Sequence, residues 1–232
     1  LQNDKIRVSL LPDKGTDVFE LLLKSRDLDY VWLTDNGLTN PQRTAAIRNE
    51  RTSFIDSYEG GWQEVFPSGG AACVHEGVAF GQHEEVALLP WDYEIVEDTA
   101  ERISVRFRVR TRKMPFAVSK TVSLAAGSSR LEIRETVTNL SGEPLRYMWG
   151  QHLAFGRPFL EEGCVIELPE ALTVIADERD VTDGRPGRVR RGRNAGWPYA
   201  EGPGGERVDL SVLPPAGTPS DIVYLTGFGD TG

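Results

Sequence analysis

Apolar and polar residues alternate with a period of two through most of residues 6–156, the pattern of strands half-buried in a sheet. Ile6–Leu10 begins it, with Ile6, Val8 and Leu10 on one side, and the turn residues Pro12, Asp13, Lys14 and Gly15 close it. Val18–Lys24 and Tyr30–Thr34 predict two further strands. From Trp91 onward the period is very regular: Tyr93–Val96, Ile103–Arg110, Phe116–Leu124 and Leu131–Asn139 are separated by short polar or glycine-containing turns. That spacing predicts an antiparallel meander with one wet face. Arg106, Arg108, Arg110, Glu132 and Arg134 fall on the wet face and are read as charges paired across strands, without chemistry. Tyr147–Gly156, Cys164–Leu168, Leu172–Ala176 and Ile222–Thr226 complete the set. There is no long amphipathic helix and no repeat of fixed period, so the fold class predicted is all-β, an antiparallel sandwich.

Three stretches break the period. Residues 35–60 are polar, with a short helix predicted around Thr52–Tyr58. Gly60–Gly70, Gly-Gly-Trp-Gln-Glu-Val-Phe-Pro-Ser-Gly-Gly, is framed by glycines that permit unusual backbone angles and close approach to a ligand. Residues 177–206 form a long polar loop holding Arg185, Arg188, Arg190, Arg191 and Arg193. It reads as a solvated loop, with anion binding as the functional alternative.

Composition narrows the class. The 232 residues are 39% hydrophobic and 26% charged, an ordinary globular balance, and are read as a single domain over 1–232. A net charge of −9 argues against a nucleic-acid or anionic-membrane surface. No apolar run is long enough to span a membrane and no signal peptide is visible, so the cytoplasm is the expected location. The chain starts at Leu1 and ends soon after a strand, and residues are expected to be missing at both ends. Cys73 and Cys164 lack metal-type spacing and are read as thiols or one bridge.

Among only three histidines, His152 stands out. Alternation places it on one face of its strand with Met148, Gly150 and Ala154, leaving space around the imidazole, while Tyr147, Trp149, Gln151, Leu153 and Phe155 take the other face. A core histidine donating to a carbonyl fits that strand equally well. Trp62 has the shape to stack on an apolar sugar face, with Gln63 and Glu64 beside it to bond hydroxyls; a turn with a buried tryptophan is the plainer reading. His75 and the turn Gly81-Gln-His-Glu-Glu85 carry the other two imidazoles.

Three of these stretches, taken in order, resemble the aldose 1-epimerase (galactose mutarotase-like) superfamily. They are Pro12-Asp-Lys-Gly-Thr-Asp-Val-Phe-Glu-Leu21, Gly81-Gln-His-Glu-Glu-Val-Ala-Leu-Leu-Pro-Trp91, and the passage Val137–His152 containing Thr-Asn, Pro and a final His. The match is closest to an uncharacterised branch carrying Gly-Trp-Gln-Glu-Val-Phe-Pro-Ser-Gly-Gly, and it fades after Gly163. The resemblance implies a β-supersandwich, incomplete in this chain, and interconversion of the α and β anomers of an aldose by ring opening and closure. It implies that His152 protonates the ring oxygen and that His83 assists by bonding sugar oxygens. Trp62, Gln63, Glu64, His75 and Gln151 are the expected substrate-binding residues, a small-molecule sugar is the expected partner, and no metal or other cofactor is implied. The family's base, a glutamate near the C-terminus, has no match after Ile222, and Glu64 is the substitute candidate. His83 is followed by Glu84 and Glu85 where many members have glycine. A non-catalytic carbohydrate-binding protein on the same scaffold is the alternative. A metal site from His75, His83 and Glu84 or Glu85 lacks a recognised spacing. A sugar lyase or hydrolase needs a tyrosine or paired carboxylates that the sequence does not reveal.

Overall fold

The computed structural model describes residues 1–39, 53–169, 171–178 and 187–229. Thr52 of the predicted helix and Arg185 of the arginine-rich loop lie outside the described residues. In chain order the elements are β1 (Ile6–Leu11), β2 (Asp17–Leu23), β3 (Leu28–Asp29), α1 (Ser53–Asp56), β4 (Trp62–Val65), β5 (Cys73–His75), β6 (Val78–Phe80), β7 (Asp92–Asp98), β8 (Arg102–Arg110), β9 (Phe116–Ala125) and β10 (Leu131–Asn139). They continue with β11 (Gly150–Leu153), β12 (Thr173–Ala176), β13 (Asn194–Gly196), β14 (Tyr199–Glu201), β15 (Arg207–Asp209) and β16 (Val223–Thr226). The expected all-β antiparallel architecture is what forms. Two compact units result, Leu1–Phe159 and Leu160–Gly232.

The first unit is built on two antiparallel sheets. One has the order β1-β2-β4-β11 with β3 on β2; the other is the predicted meander, in the order β10-β9-β8-β7. Alternation drives their packing. Val105, Phe107 and Val109 of β8 and Phe116, Val118, Val122 and Leu124 of β9 point inward, and Ile6, Val8 and Val18 of the first sheet meet Leu124. The outward arginines pair across strands as read: Arg106 and Arg108 both reach Glu94, at 3.4 and 2.6 Å. A bulge at Ser9/Leu10 keeps both ends of β1–β2 in phase with the core, so Val18 faces inward although it stands an odd number of residues before Leu21.

The second unit has its own small core, Val174, Ala176, Val189, Ala200 and Leu210, under the sheet β13-β12-β16 and the hairpin β14-β15. Of its arginines, Arg188 pairs with Asp221 at 3.1 Å and Arg190 with Glu201 at 2.5 Å. These partners hold charges that the sequence left available for an anion.

Four local readings change. Tyr30–Thr34 makes only isolated bridges, Val31 to Phe155 and Leu33 to Gly60. The apolar run at Val86–Leu88 forms a 3-10 turn, with Val86 and Ala87 buried. The hairpin β5–β6 went unseen because its strands are three residues each, too short to show a period. Strands β13 and β14 in the polar loop, and β15 directly after it, went unseen for the same reason. Both cysteines are free thiols, and no described helix is long and apolar enough to cross a membrane.

Phe116 is 1% exposed, with its ring 5.1 Å from that of Phe66 and 5.8 Å from that of Tyr147. Truncation leaves a cavity between the sheets, so Phe116→Ala is expected to lower unfolding free energy by about 3–5 kcal/mol in urea titration. A loss below about 1 kcal/mol would show that the two sheets do not depend on this contact.

Candidate active site

The pairing of β4 with β11 positions Trp62, Gln63, Glu64, Gln151 and His152. Its register sets Gly150 against Val65, Gln151 against Glu64, His152 against Gln63 and Leu153 against Trp62. Paired residues in an antiparallel sheet share a face, and neighbours along a strand do not. His152 and Gln63 therefore occupy one face, and Glu64, Gln151 and Trp62 the other. Just before β4, Gly60 lies close against the Trp32–Leu33 backbone: its φ is 87°, and a Cβ there would come within 2.3 Å of the Trp32 carbonyl oxygen.

On the histidine face, His83 and His152 come together with ring centroids 5.3 Å apart. Phe54 of α1 packs edge-on to both, at 4.8 and 5.6 Å, and Tyr58 meets His152 at 5.4 Å. His83 sits at φ 51°, and its Nδ1 lies 3.0 Å from the Gly69 carbonyl oxygen. A carbonyl can only accept, so Nδ1 carries the hydrogen and Nε2 has the free lone pair. Burial lowers the pKa of both imidazoles, and for His83 the charge of His152 adds to the effect, with the Gly69 contact opposing it. His152 Nδ1 is buried without a hydrogen-bond partner.

Gln63 shares this face but is turned into the turn before it, donating from Nε2 to the Gly60 carbonyl, and its Oε1 is unpartnered. Nearby in the fold, Lys14 joins Asp17 at 2.5 Å and Glu59 at 2.7 Å, all three almost wholly buried. Asp17 is raised well above the usual carboxylate range, chiefly by burial, with Glu59 adding to the shift and Lys14 opposing it. The Tyr58 phenol is raised by burial and then by Glu59 and Asp17, so it keeps its hydrogen at neutral pH.

The opposite face is an acid network between the sheets. Glu64, fully buried, accepts from Trp149 Nε1, from Gln151 Nε2 at 2.6 Å and from Lys120 Nζ at 3.3 Å. Glu135 of β10 lies 3.7 Å from Lys120 and bonds to Glu64. Burial alone would raise Glu64, but the bonds from Glu135, Trp149 and Gln151 and the Lys120 charge outweigh it and leave its pKa lowered. Burial, then the bond to Glu64 and its charge, push Glu135 up to about 8.

The expected residues thus separate into three groups. His83 and His152 come together, with Gln63 on the same face as His152. Glu64, Gln151 and Trp62 lie on the far side of the sheet from them, and Trp62 donates to the Ala154 carbonyl and packs at a tilt against Phe155. His75 stands on β5, and its Nε2 is 3.6 Å from Glu76. No group of three or more His, Cys, Asp or Glu side chains able to hold a metal ion occurs among the described residues. The sequence missed Phe54, Tyr58, Lys120 and Glu135. Lys120 had a signal: it occupies an inward position of β9, between Val118 and Val122, where a lysine needs a buried partner.

An antiparallel β-sandwich bearing a half-buried histidine pair on the outer face of one sheet is the class that fold and site define. Over residues 1–189 the chain matches the model of the family described as Domain of unknown function (DUF4432), and it belongs to that family. Two solved structures are similar. One is a candidate aldose 1-epimerase from Klebsiella pneumoniae subsp. pneumoniae MGH 78578, at 17% identity and TM-score 0.57, over 75% of this chain and 45% of that one. The other is a candidate aldose 1-epimerase from Escherichia coli K12, at 13% identity and TM-score 0.45, over 86% of this chain and 66% of that one. The first likeness establishes the sandwich fold, and the chain spans less than half of that structure's length. No protein of curated function matches the chain.

The acid network gives a pH dependence whose sign follows from Glu135. Its folded pKa of about 8 lies above its ordinary 4.5, so the folded chain holds a proton that the unfolded chain releases. That stabilisation is full below the unfolded value and is lost as pH rises through about 8. The lowered Glu64 acts oppositely, losing its contribution only as pH falls toward acid. The wild-type urea midpoint should therefore fall between about pH 5 and pH 9, while Glu135→Gln should flatten the decline. Equal slopes for the two proteins would show that the carboxyls share no proton.

Proposed function

We propose that the chain is part of an isomerase that interconverts the α and β anomers of an aldose. The observation that supports this reading is the contact between His83 and His152, delivered from distant parts of the sequence into one half-buried cluster with Phe54 and Tyr58. The name carried by the Klebsiella pneumoniae structure points the same way.

The reaction needs one base and one acid at two oxygens of the same carbon, and no metal or nucleotide enters the step. Neutral His83 takes the proton of the C1 hydroxyl at Nε2. Protonated His152 gives a proton to the ring oxygen as the bond from C1 to that oxygen breaks. The open-chain aldehyde rotates about its C1–C2 bond and closes on the other face, and both protons return by the reverse transfers. The charge of His152 lowers the pKa of His83, which favours the singly protonated pair that the step requires. Each imidazole contributes on the order of 10²–10⁴-fold as a general acid or base. The half-buried aromatic setting keeps water from competing for the same protons.

Anomer exchange measured by NMR or polarimetry over several aldoses tests the proposal, with buffer catalysis subtracted. His152→Ala and His83→Ala should each reduce kcat by about 10²–10⁴-fold with circular dichroism unchanged. Sugar binding without acceleration by the wild type would favour a carbohydrate-binding protein on this scaffold.

Because both imidazoles titrate below their ordinary 6.5, kcat/KM should be bell-shaped with its maximum on the acidic side of that value. The alkaline limb falls as His152 loses its proton, and the acid limb as His83 gains one. A rate that rises steadily from about pH 5 to pH 8 would remove His152 from the role of acid.

A further inference from the structure

The pairing of β4 with β11 continues upstream through Met148, whose amide donates to the Pro67 carbonyl at 2.8 Å. At this end of the sheet lies a cavity of about 330 Å³. That volume is at the lower end of the ~300–1,000 Å³ typical of small-molecule sites. Its walls are mainly apolar: Val74, Phe80, Met114, Tyr147 and Met148. None of the histidine pair, Phe54 or Tyr58 lines it.

Four polar groups open on this apolar space: Ser68, Cys73, His75 and Arg146. Ser68 is 5% exposed, and its Oγ is buried with no hydrogen-bond partner. His75 Nε2 is also buried and unpartnered; Glu76, at 3.6 Å, is beyond hydrogen-bond range. Arg146 makes no hydrogen bond or ion pair among the described residues, and no carboxylate lines the cavity. A hydroxyl buried this deeply is costly to leave without a hydrogen-bond partner. The lining therefore combines unmet donors and a positive charge with an apolar pocket.

We propose that this cavity is a second ligand site, distinct from the histidine pocket, for a small carboxylate carrying an aromatic or aliphatic ring. The ring fills the space between Phe80, Met114 and Met148. The carboxylate accepts from the Arg146 guanidinium and the Ser68 hydroxyl, and the fork geometry of arginine suits a planar anion. His75 Nε2 offers a further bond in the tautomer that carries its hydrogen there. Ser68 is followed by Gly69, whose carbonyl orients His83, so the two sites share one loop without sharing a side chain.

Cys73 reports occupancy, being an exposed free thiol in the lining, and Cys164 provides an internal control. The experiment measures the rate at which 4,4′-dithiodipyridine modifies each cysteine, resolved by peptide mass spectrometry, at increasing benzoate and, separately, benzyl alcohol. Benzoate should protect Cys73 saturably and leave Cys164 unaffected. Arg146→Ala, at an exposed position, should raise the half-protecting concentration of benzoate about tenfold and leave that of benzyl alcohol unchanged, the loss of one charge-assisted contact. Met148→Trp, which fills the cavity, should abolish protection, and His152→Ala should preserve it. Absence of saturation, equal protection of Cys164, or equal weakening of both probes by Arg146→Ala would overturn the proposal. Loss of protection in His152→Ala would assign the ligand to the histidine pocket and overturn it equally.

Discussion

The pairing of Gln151 with Glu64 and of His152 with Gln63 is the constraint on which the arrangement of the first unit rests. A single-residue slip would exchange the faces, sending His152 into the space between the sheets and Glu64 out over the histidine pocket. The register is held from both sides. Glu64 binds Lys120 and Glu135 of the other sheet and, on its own sheet, Gln151 and Trp149. On the outer side His83 and Phe54 close over His152. A pairing of only four residues is thereby fixed by chemistry that differs on its two faces.

Buried charge is an expensive way to obtain that precision. Lys120 is 2% exposed in a strand whose other inward residues are apolar, and an isolated ammonium there would cost several kcal/mol. Two carboxyls and one ammonium would leave a net negative charge between the sheets. The proton held on Glu135 reduces that charge to a single compensated pair and supplies a donor for Glu64. The outer side solves the same problem with Lys14, Asp17 and Glu59, where the raised Asp17 moves the cluster in the same direction. Apolar residues of similar size would pack at lower cost, but they would not distinguish one register from its neighbour.

The sequence disclosed what depends on period. The meander and the inward rows of β8 and β9 followed from alternation, because strands of nine or ten residues repeat it several times. The separation of His152 from Gln151 and Trp149 followed from the same rule. Alternation within one strand says nothing about which face its partner strand presents, and so Glu64 and Trp62 appeared as plausible companions of His152 when they lie behind it. Glu135 was hidden by its surroundings: Glu132 and Arg134 beside it are solvated, and only the approach of the other sheet buries the glutamate. Three-residue strands such as β5 and β6 carry too few positions to reveal a period, which concealed the cavity that their hairpin lines.

The loop Pro67–Gly70 shows how one short segment serves two chemistries. Its amide at Ser68 and carbonyl at Gly70 bond to Glu84 and His83, which fixes the turn carrying the second imidazole. The Gly69 carbonyl then selects the tautomer of that imidazole, leaving Nε2 as the acceptor. The position a Cβ would take at Gly69 is 3.7 Å from Met148 and from Val65, ordinary contact distance, so the loop lies directly against the wall of the cavity and the β4–β11 pairing. The glycine frame first noted around Trp62 thus acts less on a ligand at the tryptophan than on the orientation of His83.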